Sequence, residues 1–442
     1  MNKAYPKYKP SGVEWLGDVP VHWDVKRTRF MISMNPSKQE IHHLDPETEL
    51  TFLPMEAVGE NGSLRPDSTR PISDVIAGYT FFAEGDVAFA KITPCFENRK
   101  GAILRNLGTG FGFGTTELTV MRPSEKIDAE YLYYITISDE FRNNGKAWMY
   151  GAGGQKRVPD EFVKEFRFGF PPLREQRAIA TFLVRETGRI DALISKQQRL
   201  LELLSEQRTA LISRAVAKGL NKSVKFKHSG VEWLGDVPEH WDVKKIKFIL
   251  QKSLQYGANE AAILDDPELP RFIRITDIDE QGNLREETFR SIPDDIAKPF
   301  LLEDGDILFA RSGATVGKTF FYKESWGRAA YAGYLIRARL KKKSAFPSFV
   351  YYITKTSLYQ QWIESMLIQA TIQNVSAEKY ATFLVTLPPL SEQQAIAVFL
   401  DRETAKIDAL LLKVTKMIDR LKEYRTALIS AVVTGKIDVR EA

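Results

Sequence analysis

Apolar residues recur at alternating spacings of four and three along two stretches of the chain, residues 190–215 and 407–432. This heptad spacing predicts that each stretch forms a long helix with one continuous apolar seam, as in a coiled coil. At about 1.5 Å per residue, a helix over residues 190–216 would be about 40 Å long. An ordinary amphipathic helix packed on a globular core is the alternative. The predicted seam residues are Ile190, Ile194, Leu201, Leu204 and Leu211 in the first helix and Ile407, Leu411, Ile418, Leu421 and Leu428 in the second.

Polar residues interrupt the two patterns at equivalent places. Thr187 and Thr404 precede the seams, and their hydroxyls predict helix caps, with short separate helices over 175–183 and 392–400. Arg208 and Arg425 lie on the seams themselves. Because a buried arginine is costly unless it is paired, each either reaches a carboxylate or extends its charge past the edge of the seam.

The two helical patterns belong to an internal duplication. Residues 171–213 and 388–430 align at a constant offset and share 26 of 43 positions. A second motif, SGVEWLGDVPVHWDVK at 11–26, returns at 229–244 with 15 of 16 positions identical. Its glycines, proline and two tryptophans predict a compact turn that leads into a strand. The repeating unit is therefore turn motif, variable segment and long helix.

The variable segments, 28–170 and 246–387, resemble each other only in short stretches. EGDVAFAK at 84–91 corresponds to DGDILFAR at 304–311, and both have apolar residues at strand spacing. YYIT occurs at 133–136 and 351–354 and is predicted to be helical. These matches predict one mixed α/β fold for both segments. After the matched strands the loops differ completely, ITPCFENRK against SGATVGK, which is typical of a common scaffold that carries different binding loops.

Composition adds little to this picture. The 442 residues are 43% hydrophobic and 27% charged, which indicates a globular protein with two or three domains. The sequence lacks a long apolar run, so we expect neither secretion nor a membrane span and assign the chain to the cytoplasm. One cysteine and five scattered histidines make a disulfide or a metal cluster unexpected. The net charge of +5 is weak support for nucleic-acid binding, because residues 28–170 contain 16 basic and 20 acidic side chains.

Three stretches have the appearance of catalytic motifs, and none fits. SGATVGKT at 312–319 has one residue too few for a phosphate-binding P-loop, and the residues after it predict a strand rather than a helix. GTGFGFG at 108–114 is a lone glycine-rich stretch, which we interpret as a loop between strands. FPPL at 170–173 and LPPL at 387–390 lack the amide or acid and the aromatic residue of an amino-methyltransferase motif. The sequence therefore predicts no catalytic, cofactor or metal site in this chain.

The order of these elements resembles the specificity subunit of type I restriction–modification enzymes. The resemblance covers the whole chain and depends on the paired PPLxEQxAIAxFL…RET..IDAL helices and the paired GVEWLGDVPxHW motifs. It implies an α+β architecture of two globular mixed α/β target-recognition domains, separated by two long antiparallel coiled-coil helices and related by a pseudo-two-fold repeat. The implied boundaries are 1–172 and 223–388 for the two recognition domains, and 173–222 and 389–442 for the two helical repeats.

The resemblance also implies function and partners. In this family each recognition domain reads one half of a bipartite, asymmetric site in double-stranded DNA, and the helices dock two modification subunits. S-adenosylmethionine is expected in those adenine methyltransferase subunits, and ATP with magnesium in the restriction subunits, so this chain itself is expected to be non-catalytic. A helix of about 40 Å is comparable to one turn of DNA, about 34 Å, which would let two domains reach successive major grooves.

The residues that contact DNA are predicted from side-chain chemistry. Arginine and lysine bond to guanine, asparagine and glutamine to adenine, and serine and threonine mainly to phosphates. In the first segment the candidates are Lys91, Thr93, Arg99, Lys100, Thr115, Thr116, Lys156 and Arg157. In the second segment they are Arg311, Ser312, Thr315, Lys318, Gln369, Gln373 and Asn374. A solvated surface role is the alternative for each of them.

Two other functions stay open at the level of sequence. One is a stand-alone DNA adenine methyltransferase, which the missing acidic Pro-Pro-aromatic motif disfavours. The other is a coiled-coil adaptor with no role on DNA, which binding of duplex DNA by the assembled complex would exclude.

Overall fold

The computed structural model describes residues 3–152, 154–279, 282–368 and 374–441, with only the backbone at Ala314 and Ile368. The predicted DNA contacts Gln369 and Gln373 lie outside the described residues. The chain divides into two units. Unit 1 contains the residues up to Gln198 and those from Lys416 onward, and unit 2 is Arg199–Thr415. Both long helices are therefore shared between the units, and the domain boundaries implied by the resemblance remain a prediction.

Unit 1 is a mixed α/β domain. Its strands are β1 (Tyr8–Pro10), β2 (Asp18–Pro20), β3 (Asp24–Arg27), β4 (Ile32–Met34), β5 (Glu49–Leu53), β6 (Thr69–Pro71), β7 (Thr80–Ala83), β8 (Val87–Ala90), β9 (Gly101–Ile103), β10 (Phe111–Gly114), β11 (Leu118–Pro123) and β12 (Arg167–Phe170). Its helices are α1 (Ile72–Val75), α2 (Ala129–Ile137), α3 (Asp139–Trp148), α4 (Asp160–Glu165) and the first part of α5 (Leu173–Lys218).

The strands of unit 1 form two larger sheets and two pairs. The sheet orders are β6-β5-β10-β7 and β4-β11-β8-β9, and the pairs are β1-β2 and β12-β3. All neighbours are antiparallel except β10 and β5. The glycine-rich stretch at 108–114 is thus partly strand β10, and our interpretation of it as a loop between strands is correct for 108–110 and wrong for 111–114. Its small residues have a packing role, since a Cβ on Gly112 would lie 2.6 Å from the Thr51 carbonyl oxygen.

Unit 2 repeats this arrangement. Its strands are β13 (Phe226–His228), β14 (Asp236–Pro238), β15 (Asp242–Lys245), β16 (Gln255–Tyr256), β17 (Arg271–Ile273), β18 (Ile307–Ala310), β19 (Thr319–Phe321), β20 (Ala329–Tyr331), β21 (Leu335–Ala338) and β22 (Leu384–Leu387). Its helices are α6 (Asp294–Ala297), α7 (Pro347–Ile353), α8 (Ser357–Ile368), α9 (Ala377–Ala381) and the first part of α10 (Leu390–Val433), together with the end of α5.

One four-stranded sheet of unit 2 corresponds strand by strand to a sheet of unit 1, and the two central strands of the other sheet also have counterparts. The order β16-β21-β18-β19 matches β4-β11-β8-β9, and the parallel pair β17-β20 matches β5-β10. The two YYIT segments also occupy equivalent helices, α2 and α7. The prediction of one mixed α/β fold for both variable segments is confirmed. A strand follows the SGATVGK loop, as predicted, so this loop does not have P-loop geometry.

The near-identical turn motifs hold the first turn of each long helix. In unit 1, Trp23 is fully buried and its indole Nε1 donates to Glu175 Oε1 at 2.9 Å, while His22 Nε2 lies 2.7 Å from Oε2 of the same carboxylate. In unit 2, Trp241 Nε1 donates to Glu392 Oε2 at 3.2 Å, and His240 Nε2 lies 2.8 Å from the same oxygen. The tryptophan, histidine and glutamate are therefore repeated because both helices begin against the same kind of turn.

The predicted helix caps at Thr187 and Thr404 are wrong. Both residues lie inside the continuous helices α5 and α10, and both are buried. The Thr187 hydroxyl donates to the Leu183 carbonyl at 2.7 Å, and Thr404 donates to Leu400 at the same distance. A threonine hydroxyl that bonds to the carbonyl four residues earlier is compatible with a helix interior, so no helix boundary was needed.

All ten predicted seam residues are buried or half-buried. In unit 1 the end of α10 enters the same core as α2 and the start of α5, through Leu428, Ile429, Val432 and Val433. In unit 2 the end of α5 enters the core through Ile212, Ala215 and Val216. In each unit, therefore, an early part of one long helix and a late part of the other pack on the same domain.

The seam arginines form ion pairs that define the direction of the two helices. Arg425, late in α10, donates from Nε to Asp191, early in α5, at 2.9 Å within unit 1. Arg208, late in α5, donates to Asp408, early in α10, at 2.8 Å within unit 2. Both arginines thus reach a carboxylate, and the pairing of early with late segments is the predicted antiparallel coiled coil. The aspartates are those of the repeated IDAL sequence, which explains its presence in both helices.

The buried ion pair of unit 1 is expected to contribute more to stability than its counterpart in unit 2. The Arg425 side chain is 8% exposed, whereas that of Arg208 is 32% exposed. Asp191→Ala leaves the buried guanidinium unpaired and should lower the free energy of unfolding by about 3 kcal/mol. Asp408→Ala, the matched control, should lower it by about 1 kcal/mol or less. Urea unfolding of the full chain measures both losses, and equal losses would contradict the assignment of a buried pair.

Candidate nucleic-acid interface

The divergent loop of unit 1 lies between two other segments that are distant in sequence. Lys91 directly follows strand β8 at the start of the loop, and its backbone N–H donates to the Glu117 carbonyl at 2.9 Å. On the other side, Val158 N–H donates to the Lys91 carbonyl at 2.9 Å, and Ile92 forms a β-bridge with Arg157. The backbone therefore brings Lys91, Glu117 and Arg157 side by side.

Unit 2 has the same backbone connections at the equivalent place. Arg311 N–H donates to the Tyr334 carbonyl at 3.1 Å, and Val375 N–H donates to the Arg311 carbonyl at 2.9 Å. Ser312 forms a β-bridge with Asn374. Arg311, Tyr334 and Asn374 thus occupy the positions that Lys91, Glu117 and Arg157 occupy in unit 1. We call each set a reading triad.

Several predicted DNA contacts of unit 1 gather around its reading triad. The Thr93 hydroxyl donates to the Gly154 carbonyl at 2.7 Å and accepts from Lys156 N–H at 3.0 Å, so the loop and residues 154–157 hold each other. Thr115 accepts from Glu117 N–H at 3.3 Å, and Thr116 beside it is exposed. The Lys156 side chain is exposed as well. The structure therefore groups Lys91, Thr93, Thr115, Thr116, Lys156 and Arg157.

Two other predicted contacts of unit 1 are occupied by bonds inside the unit. Arg99 forms an ion pair with Asp139 at the start of α3 and donates to the Thr426 hydroxyl on α10 at 2.8 Å. Lys100 donates from Nζ to the Met55 carbonyl at 3.3 Å. A role on DNA for either side chain would require it to leave these partners, so we do not include them in the candidate interface.

The predicted contacts of unit 2 are less constrained. The Arg311 guanidinium lies 4.8 Å from the centre of the Tyr256 ring, and its buried Nε has no hydrogen-bond partner among the residues that the structure describes. Asn374 Oδ1 is buried as well and has no partner within the described ranges. Thr315 and Lys318 are in the same loop, where Lys318 N–H donates to the Thr315 carbonyl at 3.0 Å.

Sequence reasoning missed the middle residue of each reading triad, Glu117 and Tyr334. Acidic and aromatic residues were not considered, because the candidates were selected for donor chemistry toward guanine, adenine and phosphate. Aligning Leu118 with Leu335, the first residues of β11 and β21, would have placed Glu117 opposite Tyr334. Tyr334 is 63% exposed, and Tyr150, bonded through its backbone to Arg157, is exposed too.

Neighbouring charge or burial shifts the pKa values of three basic side chains in the two units. The carboxylate of Glu117 raises the pKa of Arg157 above its usual range. Burial, with a smaller effect of nearby Arg208 and Lys318, lowers the pKa of Lys355 to about 7, and its Nζ donates to the Thr319 carbonyl at 2.7 Å. Burial also lowers the pKa of Arg142 to about 9, and its guanidinium lies 4.5 Å from the Phe96 ring centre. Burial therefore disfavours the charged forms of Lys355 and Arg142, whereas the Glu117 carboxylate favours the charged form of Arg157.

Other site types find no support in the described part of the chain. Histidine, cysteine, aspartate and glutamate residues do not cluster there in any group of three or more suited to a metal ion. Among the described helices, none is long and apolar enough to cross a membrane.

Comparison with known proteins agrees with a nucleic-acid interface. Residues 96–203 and 238–416, well over half of the chain, match the model of the type I restriction modification DNA specificity domain. The EcoAI specificity subunit of Escherichia coli is 33% identical over 275 residues, 60% of this chain and 45% of that protein. The EcoEI specificity subunit of the same species is 36% identical over 185 residues, 41% of this chain and 31% of that protein. The chain thus spans less than half the length of these two relatives.

A solved structure supports the fold over nearly the full length of the chain. A chain from a type I R-M system, studied for its complex assembly and conformational transition, aligns with a TM-score of 0.74. The alignment covers 95% of this chain and 99% of that chain at 19% identity, so the likeness concerns the fold. With two matching domain regions, two similar curated subunits and this architecture, the chain belongs to the type I restriction–modification DNA specificity family.

Proposed function

We propose that this protein is the DNA specificity subunit of a type I restriction–modification complex, in which each unit reads one half of a bipartite, asymmetric site. The observation that carries the proposal is the pair of reading triads. The same backbone connections present Lys91, Glu117 and Arg157 in one unit but Arg311, Tyr334 and Asn374 in the other. One scaffold with two sets of base-reading chemistry is suited to two different half-sites.

The partners in this proposal are two copies of a modification subunit, with restriction subunits joining for cleavage. Exposed apolar residues on the long helices support two equivalent docking surfaces. Leu193 and Met417 belong to unit 1, and their repeat equivalents, Leu410 and Leu200, belong to unit 2. All four side chains are exposed. Since exposed large apolar side chains favour a partner, and each unit carries one from α5 and one from α10 at repeat-equivalent positions, each unit offers the same kind of surface to one partner copy.

We further propose that the chain has no catalysis of its own and only directs that of its partners. The methyl donor S-adenosylmethionine would be bound by the modification subunit, and ATP with magnesium by the restriction subunit. The helical repeats would set the distance between the two half-sites on the DNA.

Methyl transfer to genomic DNA tests this function. The purified chain alone is expected to show no transfer and no nucleolytic activity, whereas the chain with its modification subunit should methylate adenines in one bipartite sequence. Transfer by the chain alone would support a stand-alone methyltransferase. A stable complex that neither binds duplex DNA nor methylates a defined sequence would instead support a coiled-coil adaptor.

A further inference from the structure

Arg157 of the unit 1 reading triad is held by a bidentate ion pair. Its Nε lies 2.9 and 3.1 Å from the two carboxylate oxygens of Glu117, and its Nη2 lies 2.7 Å from Oε1. Two parallel bonds from one guanidinium to one carboxylate define both the direction and the plane of the side chain. Arg157 is therefore oriented before any ligand arrives.

The backbone under Arg157 is fixed as well. Its N–H donates to the Tyr150 carbonyl at 2.9 Å, and Tyr150 N–H donates back to the Arg157 carbonyl at 3.2 Å. On the other side, Arg157 forms the β-bridge with Ile92 in the divergent loop. An arginine that is fixed at both ends loses little conformational entropy when it binds, which favours a specific contact over a mobile one.

The pairing leaves one edge of the guanidinium unused. An arginine has five N–H donors, and Glu117 takes the one on Nε and one of those on Nη2. In the described part of the chain, no other protein group bonds to the guanidinium of Arg157 beyond this carboxylate. The outer edge, formed by Nη1 and Nη2, is the one that bonds simultaneously to the O6 and N7 acceptors of guanine in the major groove. The Arg157 side chain is 41% exposed, so part of it is open to a ligand.

We propose that Arg157 reads a guanine in the half-site of unit 1 and that Glu117 is the positioning residue that directs it. This inference deepens the proposed function and rests on it. Adenine presents N7 beside an amino group, so it cannot accept from both donors of the arginine edge. The Glu117 carboxylate is negatively charged and bonded to the same guanidinium, so it would repel a phosphate that approached the outer edge. A base is therefore the favoured ligand over the DNA backbone.

Unit 2 lacks an arginine–carboxylate pair at the equivalent position. Tyr334 replaces the carboxylate and Asn374 replaces the arginine at the equivalent positions, and asparagine is the side chain that pairs with adenine. The Arg157 contact is therefore confined to one half-site, and base preference in the other half-site serves as an internal control for the Arg157 and Glu117 variants.

A test on the unmodified protein comes first. The sequence methylated by the complex with its modification subunit is identified by single-molecule sequencing, and duplexes are made with 7-deazaguanine at each guanine in turn. Removing the N7 acceptor should weaken binding about tenfold at one guanine of one half-site. If 7-deazaguanine weakens binding at no position of either half-site, the inference is overturned while the proposed function stays intact. Absence of any bipartite methylated sequence would overturn the proposed function as well.

Variants then assign the effect to the two residues. Arg157→Ala should weaken binding to natural DNA about tenfold to a hundredfold and should abolish the further loss caused by 7-deazaguanine, because the group that contacts N7 is gone. Glu117→Gln keeps the size of the side chain but not its charge, and should reduce the preference for guanine over adenine at that position severalfold. Adding Arg157→Lys to the Glu117→Gln variant should not restore the preference for guanine, since lysine lacks the planar guanidinium edge of arginine.

The controls separate positioning from folding. Glu125→Gln, an exposed glutamate of unit 1 outside the reading triad, should leave binding and base preference unchanged. Binding to the half-site of unit 2 and the melting temperature report whether each variant is folded. If Glu117→Gln weakened binding equally at guanine and adenine, Glu117 would have only a structural role and the inference would be wrong. The same conclusion would follow if 7-deazaguanine still weakened binding by the Arg157→Ala variant.

Discussion

Replacing Leu204 and Leu421 together with aspartate is expected to abolish assembly with the modification subunits. Leu204 is 8% exposed on α5 in unit 2, and Leu421 is half-buried against the core of unit 1 on α10. Truncating a buried leucine to alanine costs about 2–5 kcal/mol, and an unpaired buried carboxylate costs more. Each change disrupts the helix pairing in one unit, so the double variant should lose the surface on which two partners dock.

Size-exclusion chromatography of the double variant with its modification subunit measures this loss. Leu203→Asp is the matched control, because Leu203 is the neighbouring residue on α5 but is exposed, and the variant should keep its melting temperature within a few degrees. The two recognition domains, 1–172 and 223–388, expressed separately and examined by circular dichroism, should still fold because each contains all the sheets of its unit. A complex of normal stoichiometry from the double variant would mean that the seam does not hold the helices together.

Exchanging residues 28–170 for the corresponding segment of a relative is expected to change one half of the recognition sequence completely and leave the other half unaltered. The segment contains the whole reading triad of unit 1, whereas Arg311, Tyr334 and Asn374 of unit 2 are untouched. Since the turn motif before the segment and the helix start after it are kept, the packing of Trp23 against Glu175 is preserved.

Methylome mapping of the exchanged protein in complex with its modification subunit checks this prediction. The reciprocal exchange of residues 246–387 is the control and should change only the other half. If either exchange altered both halves, the two units would not be independent readers, and the separate assignment of the two reading triads would be wrong.

The features that the sequence by itself determined are those with a local or repeated pattern. The heptad spacing predicted both long helices because side chains three and four residues apart share one face of a helix. The duplication predicted that both variable segments have one fold, since positions such as 84–91 and 304–311 kept their strand pattern. The family followed from the paired motifs, whose order and spacing are independent of any structure.

Local sequence patterns gave wrong predictions where a side chain is able to form either of two hydrogen bonds. Thr187 is a good helix cap in isolation, but its hydroxyl bonds to the carbonyl of Leu183 and to Tyr134 inside a continuous helix. Whether Arg208 and Arg425 found a carboxylate was also open, because the answer depends on which residue of the other helix lies opposite. The antiparallel pairing placed Asp408 and Asp191 there.

Only the tertiary structure decided the reading triads. Lys91, Glu117 and Arg157 are far apart in sequence and become neighbours through backbone bonds between separate segments, and such long-range pairing has no local periodicity. The tertiary structure also places the Arg99 side chain against Asp139 and Thr426, although its charge and loop position had made it a candidate DNA contact. The side-chain type indicates which bases a residue is able to read. Its partners in the folded chain determine whether its donors remain available, as in Arg157, where Glu117 occupies one edge of the guanidinium and leaves the other free.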